Sequence, residues 1–308
     1  MKTLFSEKAL LLLGFLGAVF SSSMAMANDE AAKNEVDAVP TTSWALRLPE
    51  EGAVAFHGLG NLDEAGLAQG QIMYPAPNAI GLLAAVLTHA LIVDSSRRSQ
   101  ISKLQEEADK VLNPYRHILD KLDSRDLMAR ALAMTTHSGS GKLVDTPSQS
   151  RTEIMVESVP LFSMTQDQSA IVIDNLLAIQ KPGSSPETAY RKTIRVVLAA
   201  SGASNPVAHW TANDGEKLKD ASTRLIAQSI DIAFADANTA PTDDKPYRTV
   251  RYPEGTSEKI ERAQIIEARC GRLLIRTLRG TLMSVPANKT TTLVAKEENC
   301  GPIAALGK

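Results

Sequence analysis

The chain predicts an α+β fold, with an antiparallel sheet, a long helix in the N-terminal half, a second helix packed on it and a small β module at the C-terminal end. Three observations predict this. Three extended segments between residues 152 and 200 follow one another through short polar turns, the pattern of an antiparallel meander. Residues 79–112 keep apolar residues at helical rather than strand spacing. Leu218, Ala221, Leu225 and Ile232 recur on one side of a second helical stretch, 215–236.

Taken in order, residues 1–27 read as an export signal. Lys2 and Lys8 precede the uncharged run 9–20, and Ala25 and Ala27 occupy the two small positions of a cleavage site. The apolar run is about a dozen residues, short of the roughly 20 that a spanning helix needs. Cleavage after Ala27 removes a net charge of +1, so the formal charge of −2 becomes −3. The expected location is therefore the periplasm or the exterior. Residues 28–43 are small and polar and read as a disordered mature terminus, followed by an α+β domain over 44–236, a linker at 237–246 and the small β module over 247–308.

Within the domain, 44–48 and 53–56 are short strand candidates. Asn78 follows a Tyr-Pro-Ala-Pro run and can cap a helix whose first half, Ala79–Val93, holds no charge. Its second half is amphipathic through Ile101, Leu104, Ala108, Val111 and Leu112, up to Pro114, which breaks or kinks it. A helical piece at 115–122 and another capped by Ser124 follow. Strands are expected at 152–164, 169–180 and 190–200; in the last, Tyr190, Lys192, Ile194, Val196 and Leu198 share a face. Asn213 or Asp214 caps the second helix. Strands at 259–269, 272–279 and 282–285 make the C-terminal module.

Composition excludes more than it assigns. A near-neutral chain offers no strong field to nucleic acid. Only ten aromatic residues lie beyond residue 27, which argues against a carbohydrate-processing cleft. Ser140 in Gly139-Ser140-Gly141 lacks the Gly-x-Ser-x-Gly frame of a nucleophile elbow, and Lys142 lacks the P-loop frame. The five histidines form no zinc-binding pattern. His117 and Asp120 have helix-face spacing, but a surface pair explains them. His209 beside Trp210 reads as packing. No catalytic residue, metal ligand or cofactor is assigned.

Three features carry functional expectations. Cys270 and Cys300, in an exported chain, are expected to form one disulfide. Gly81, Ala84, Ala85 and Thr88, with His89 beside them, give Ala79–Val93 the small-residue spacing that lets helices approach closely. A buried core helix is the leading reading of that segment. Self-association and membrane contact are the others, although its length of about 23 Å falls short of a bilayer core. Finally, Arg248, Arg251, Arg262, Arg269, Arg272, Arg276 and Arg279 concentrate positive charge in the C-terminal segment and form a candidate basic patch for an acidic protein partner or another anionic envelope component. The resulting expectation is a non-enzymatic binding or scaffold protein of the cell envelope. The alternatives are an envelope hydrolase whose acid/base site is assembled only in the fold, and a peripheral membrane-associated protein.

Overall fold

The structure, a computed structural model, describes residues 43–48, 54–60, 95–137, 141–145, 152–239 and 245–288. The expected signal segment, the expected mature terminus up to residue 42, the apolar segment Ala79–Val93 with Gly81, Ala84, Ala85, Thr88 and His89, and Cys300 lie outside the described residues.

Among the described residues, ten strands form one mixed sheet rather than an antiparallel sheet with a separate module. In chain order they are β1 (Trp44–Arg47), β2 (Ala55–Gly58), β3 (Gly141–Val144), β4 (Ile154–Met164), β5 (Ile171–Gln180), β6 (Tyr190–Val197), β7 (Arg248–Glu254), β8 (Ser257–Arg269), β9 (Arg272–Thr277) and β10 (Leu282–Pro286). Across the sheet the order is β3-β1-β4-β5-β6-β10-β9-β8-β7, with β2 paired to β4. The predicted meander is present, since β4–β5 and β5–β6 are antiparallel.

The expectation of a purely antiparallel sheet fails at four pairings. β1 runs parallel to both β3 and β4, β2 is parallel to β4, and β10 is parallel to β6. The reason is chain path. Parallel neighbours need a long crossover, and the helical region between β2 and β3 supplies one. The last helix and β7–β9 supply another, returning β10 alongside β6. This second pairing also corrects the isolated C-terminal module, because β7–β10 continue the same sheet.

Strands outweigh helices, of which three matter here. Helix α1 (Ser95–Asp109) passes into a 3-10 stretch, Lys110–Tyr115, around Pro114, then into one α turn, Arg116–Leu119. Helix α2 (Ser124–Met134) is capped by Asp123 rather than Ser124; the Asp123 carboxylate accepts from the Arg125 and Asp126 N–H groups at 2.7 and 3.0 Å. Helix α3 (Pro206–Ala237) is broken at Ala212–Gly215, where Asn213, Asp214 and Gly215 are all left-handed. Asn213 and Asp214 therefore sit in the break itself, and the long arm of α3 begins just after it, near the expected start.

The long arm of α3 covers one face of the sheet. Leu218, Ala221, Leu225, Ile226, Ile230 and Phe234 pack there with Val156, Phe162, Ile173, Leu177, Ile194 and Val196. A buried polar relay sets this packing. The Ser158 hydroxyl donates to Asn175 Oδ1 at 3.0 Å, and Asn175 Nδ2 donates to Ser229 Oγ at 2.8 Å. At the far end, Phe234 stacks on His137 with ring centroids 3.7 Å apart and meets Trp44 of β1 edge-on. Burial lowers the His137 pKa, with Asp231 opposing.

A second, smaller core lies among the strands themselves. Val172 of β5 and Val197 of β6 are buried with Val250, Tyr252, Ala263, Leu273, Ile275, Met283 and Val285. Residues 171–173 are thus buried on both faces, which explains why the start of β5 reads as a continuous apolar run.

Candidate functional site

The C-terminal strands show how the seven arginines are divided. Arg251 lies opposite Ile260, Thr249 opposite Arg262, and Gln264 opposite Arg276. Cross-strand partners share a face, so Arg251, Ile260 and Arg262 lie together on the face away from Val250 and Tyr252. Arg248, Arg251, Arg262, Arg269 and Arg279 are exposed. Arg251 pairs with Glu258 at 2.9 Å and Arg269 with Glu267 at 3.0 Å.

Arg272 and Arg276 are not part of that exposed set. Arg276 reaches Asp236 of α3 at 2.9 Å. Arg272 donates to the carbonyls of Val197 and Ser284 and to Ser284 Oγ, at 2.8–3.0 Å. Burial pushes its pKa down to about 10. Both side chains act as braces between β9, β10 and their neighbours.

Among the described residues, the exposed large hydrophobic side chains are Tyr247 (36 %), Ile260 (56 %) and Leu278 (62 %). All three belong to the segment that carries the exposed arginines. Continuing the strand alternation puts Tyr247 on the side of Thr249 and Arg251, and Leu278 beside Arg262. The result is an apolar and arginine-rich outer face.

Folding also assembles an acid/base cluster that the sequence did not reveal. Arg195 of β6 lies directly opposite Asp174 of β5, and its two terminal nitrogens reach Asp174 at 3.3 Å and Glu254 of β7 at 3.4 Å. Lys259 approaches the second Glu254 oxygen at 3.7 Å. Only 12 % of the Arg195 side chain and 1 % of that of Glu254 are exposed. Burial alone would lower the Arg195 pKa, but Asp174 and Glu254 hold it above its ordinary value. Burial raises the Asp174 carboxyl despite Arg195, and raises the Tyr252 phenol beside them. A carboxyl with a raised pKa can hold or release a proton. Here, however, both acids are engaged by one guanidinium, which ties β7 to β5 and β6.

A neighbouring turn fastens the same strand. Asp167, in the β4–β5 turn, accepts from Thr165 Oγ1 at 2.6 Å, Ser169 N–H at 3.0 Å and Thr256 N–H at 2.5 Å. Burial opposes ionisation, yet these donors hold the carboxyl well below the usual range. Gly255 has φ +63°, and a Cβ there would lie 2.7 Å from both Asp167 oxygens, so the approach requires glycine.

The described histidines stay apart. His57 lies 3.6 Å from Asp109, His117 and Asp120 are both exposed, and His209 lies edge-on to Trp210. Among the described residues no group of three or more His, Cys, Asp or Glu could hold a metal ion, and no helix is long and apolar enough to cross a membrane. Cys270 occupies the β8–β9 turn with φ +53°. With Cys300 outside the described residues, the pairing of the two remains a proposal.

The chain matches no protein-family model and no curated protein.

Proposed function

We propose that this is an exported, non-enzymatic binding or scaffold protein of the cell envelope that docks through the outer face of β7–β9. The observation that carries this reading is the gathering of Tyr247, Ile260 and Leu278 among exposed arginines. Apolar side chains that share a strand face with exposed arginines make a mixed surface suited to a partner with negative charge. The layout of residues 1–27 supports export. A Cys270–Cys300 disulfide, in this reading, fastens the tail to the β8–β9 turn beside the docking face.

A photo-crosslinking residue at Ile260 in the full chain, expressed in its host, tests the proposal. The expected result is an adduct with an envelope component that is lost in Arg262→Glu and not formed from Lys121. Equal labelling from positions 260 and 121 would overturn it.

The alternative, an envelope hydrolase, is favoured by one observation: Asp174 and Glu254, far apart in the chain, meet at Arg195. Under that reading Asp174→Asn abolishes a hydrolytic activity while the protein stays folded. Under ours the variant changes stability and leaves Ile260 crosslinking intact.

A further inference from the structure

We infer that the outer face of β7–β9 binds an anionic lipid surface; this rests on the docking reading above and names its partner. Residues 245–279 expose six bases, Lys245, Arg248, Arg251, Arg262, Arg269 and Arg279, against two exposed acids, Glu258 and Glu267; Arg248 stands opposite Ala263 on the Val250–Tyr252 side, so Arg251, Arg262 and Arg269 are the arginines that the strand register places on the outer face. The whole chain carries −2, so this positive surplus is local. Each of the two acids already pairs with an arginine. Among the described residues no acid pairs with Arg248 or Arg262. Guanidinium groups engage phosphate with two parallel hydrogen bonds, so phosphate headgroups suit the arginines of this face.

The apolar residues point the same way. Ile260 stands opposite Arg251 and one same-face step from Arg262, so aliphatic and cationic side chains alternate across an open strand pair. A stable protein interface needs a close-packed apolar centre within about 800 Å² on each partner. Three separated side chains on a strand face do not supply one. A headgroup layer demands no shape match. It accepts short aliphatic side chains between its headgroups while arginines stay at phosphate level, and tyrosine favours that depth.

The test is sedimentation of the protein, in the form purified from its host, with two kinds of vesicle: phosphatidylcholine alone, and phosphatidylcholine carrying phosphatidylglycerol. Binding is expected to the anionic vesicles only and to weaken as salt is raised. Arg262→Gln should weaken partitioning roughly fivefold, the effect of one basic residue near an anionic surface, and Arg248→Gln, on the other face of β7, should weaken it less. Ile260→Ser should weaken it with unchanged salt dependence. Lys121→Gln makes the same charge change away from this face and should have no effect. All these positions are exposed, and matching melting curves confirm that the variants fold. Equal binding to both vesicles, no binding to either, or equal effects of Lys121→Gln and Arg262→Gln overturns the inference. A protein adduct at Ile260 without anionic-vesicle binding overturns the lipid partner and leaves the docking reading standing.

Discussion

The two faces of the sheet are stabilised by different means. On one, the long arm of α3 lays an apolar stripe over β4–β6, and its buried polar atoms close among themselves through Ser158, Asn175 and Ser229. On the other, the protein's own strands supply the cover, and the contact between β7 and β5–β6 includes a nearly buried guanidinium between two carboxylates. An apolar contact tolerates small sliding motions, whereas an ion pair is direction-dependent. The helix-covered face therefore gains its stability mainly from area, and the strand-covered face gains alignment from charge. That alignment holds the outer side of β7–β8, with Arg251, Ile260 and Arg262, in one register.

The contrast can be broken most severely at Arg195. Arg195→Ala leaves Asp174 without its cation and Glu254 with only Lys259 at 3.7 Å, and should cost about 3–5 kcal/mol, read as a lowered urea midpoint. A loss below about 1 kcal/mol would show that water already screens the cluster. Leu225→Ala, on the helix-covered face, should cost about 2–5 kcal/mol through the cavity it leaves. It should leave crosslinking from Ile260 unchanged if the two faces are separate. Asp236→Asn removes the negative charge and one of the two acceptor oxygens that Tyr190, Lys192 and Arg276 engage and should cost roughly 1.5–3 kcal/mol at neutral pH.

The pH dependence of that last variant has a definite sign. Burial opposes ionisation of Asp236, but its donors hold the folded-state pKa below the ordinary value of 3.8. Its contribution is thus present above that value and is lost as pH falls through the lower folded-state value. Wild type and Asp236→Asn should therefore converge in strong acid, and a difference that widened there would contradict the assignment. The smallest expected change comes from replacing the whole cluster. Arg195→Met, Asp174→Leu and Glu254→Leu together should stay within about 1 kcal/mol of wild type or exceed it, as apolar replacements of buried ion pairs often do. If this triple variant also keeps anionic-vesicle binding, the charges are dispensable for aligning the outer face.

The sequence discloses the meander because each of its strands has a local period and a local turn, and it discloses the core face of α3 through Leu218, Ala221 and Leu225. It does not disclose β7, where Arg248, Arg251 and Pro253 interrupt the apolar alternation; such a strand is tolerated at a sheet edge, where β7 lies. Nor does it disclose the four parallel pairings. Side-chain alternation defines a strand's faces but carries no information about which distant strand lies beside it. The ionic cluster left one readable trace: Asp174 is the one charged residue of β5, whereas Arg195 is one of three bases in β6 and does not stand out. Glu254 could not have been added from sequence, since it arrives 59 residues after Arg195. The seven arginines were visible as a group, but their division between brace and outer face depends on strand register and the position of α3.

The parallel seam between β6 and β10 also dictates an order of assembly. Leu282 must find Ile194 after the last helix and three intervening strands have been made. During synthesis from the N-terminus, β6 therefore presents a bare edge, next to an apolar hairpin, until almost the end of the described chain has emerged. Such an edge templates pairing with other chains, and closure over so long a separation is slow. A chain ending before residue 282 should accumulate as aggregate instead of a shorter soluble sheet, because the strand that completes the middle of the sheet is the last of the described strands to be synthesised.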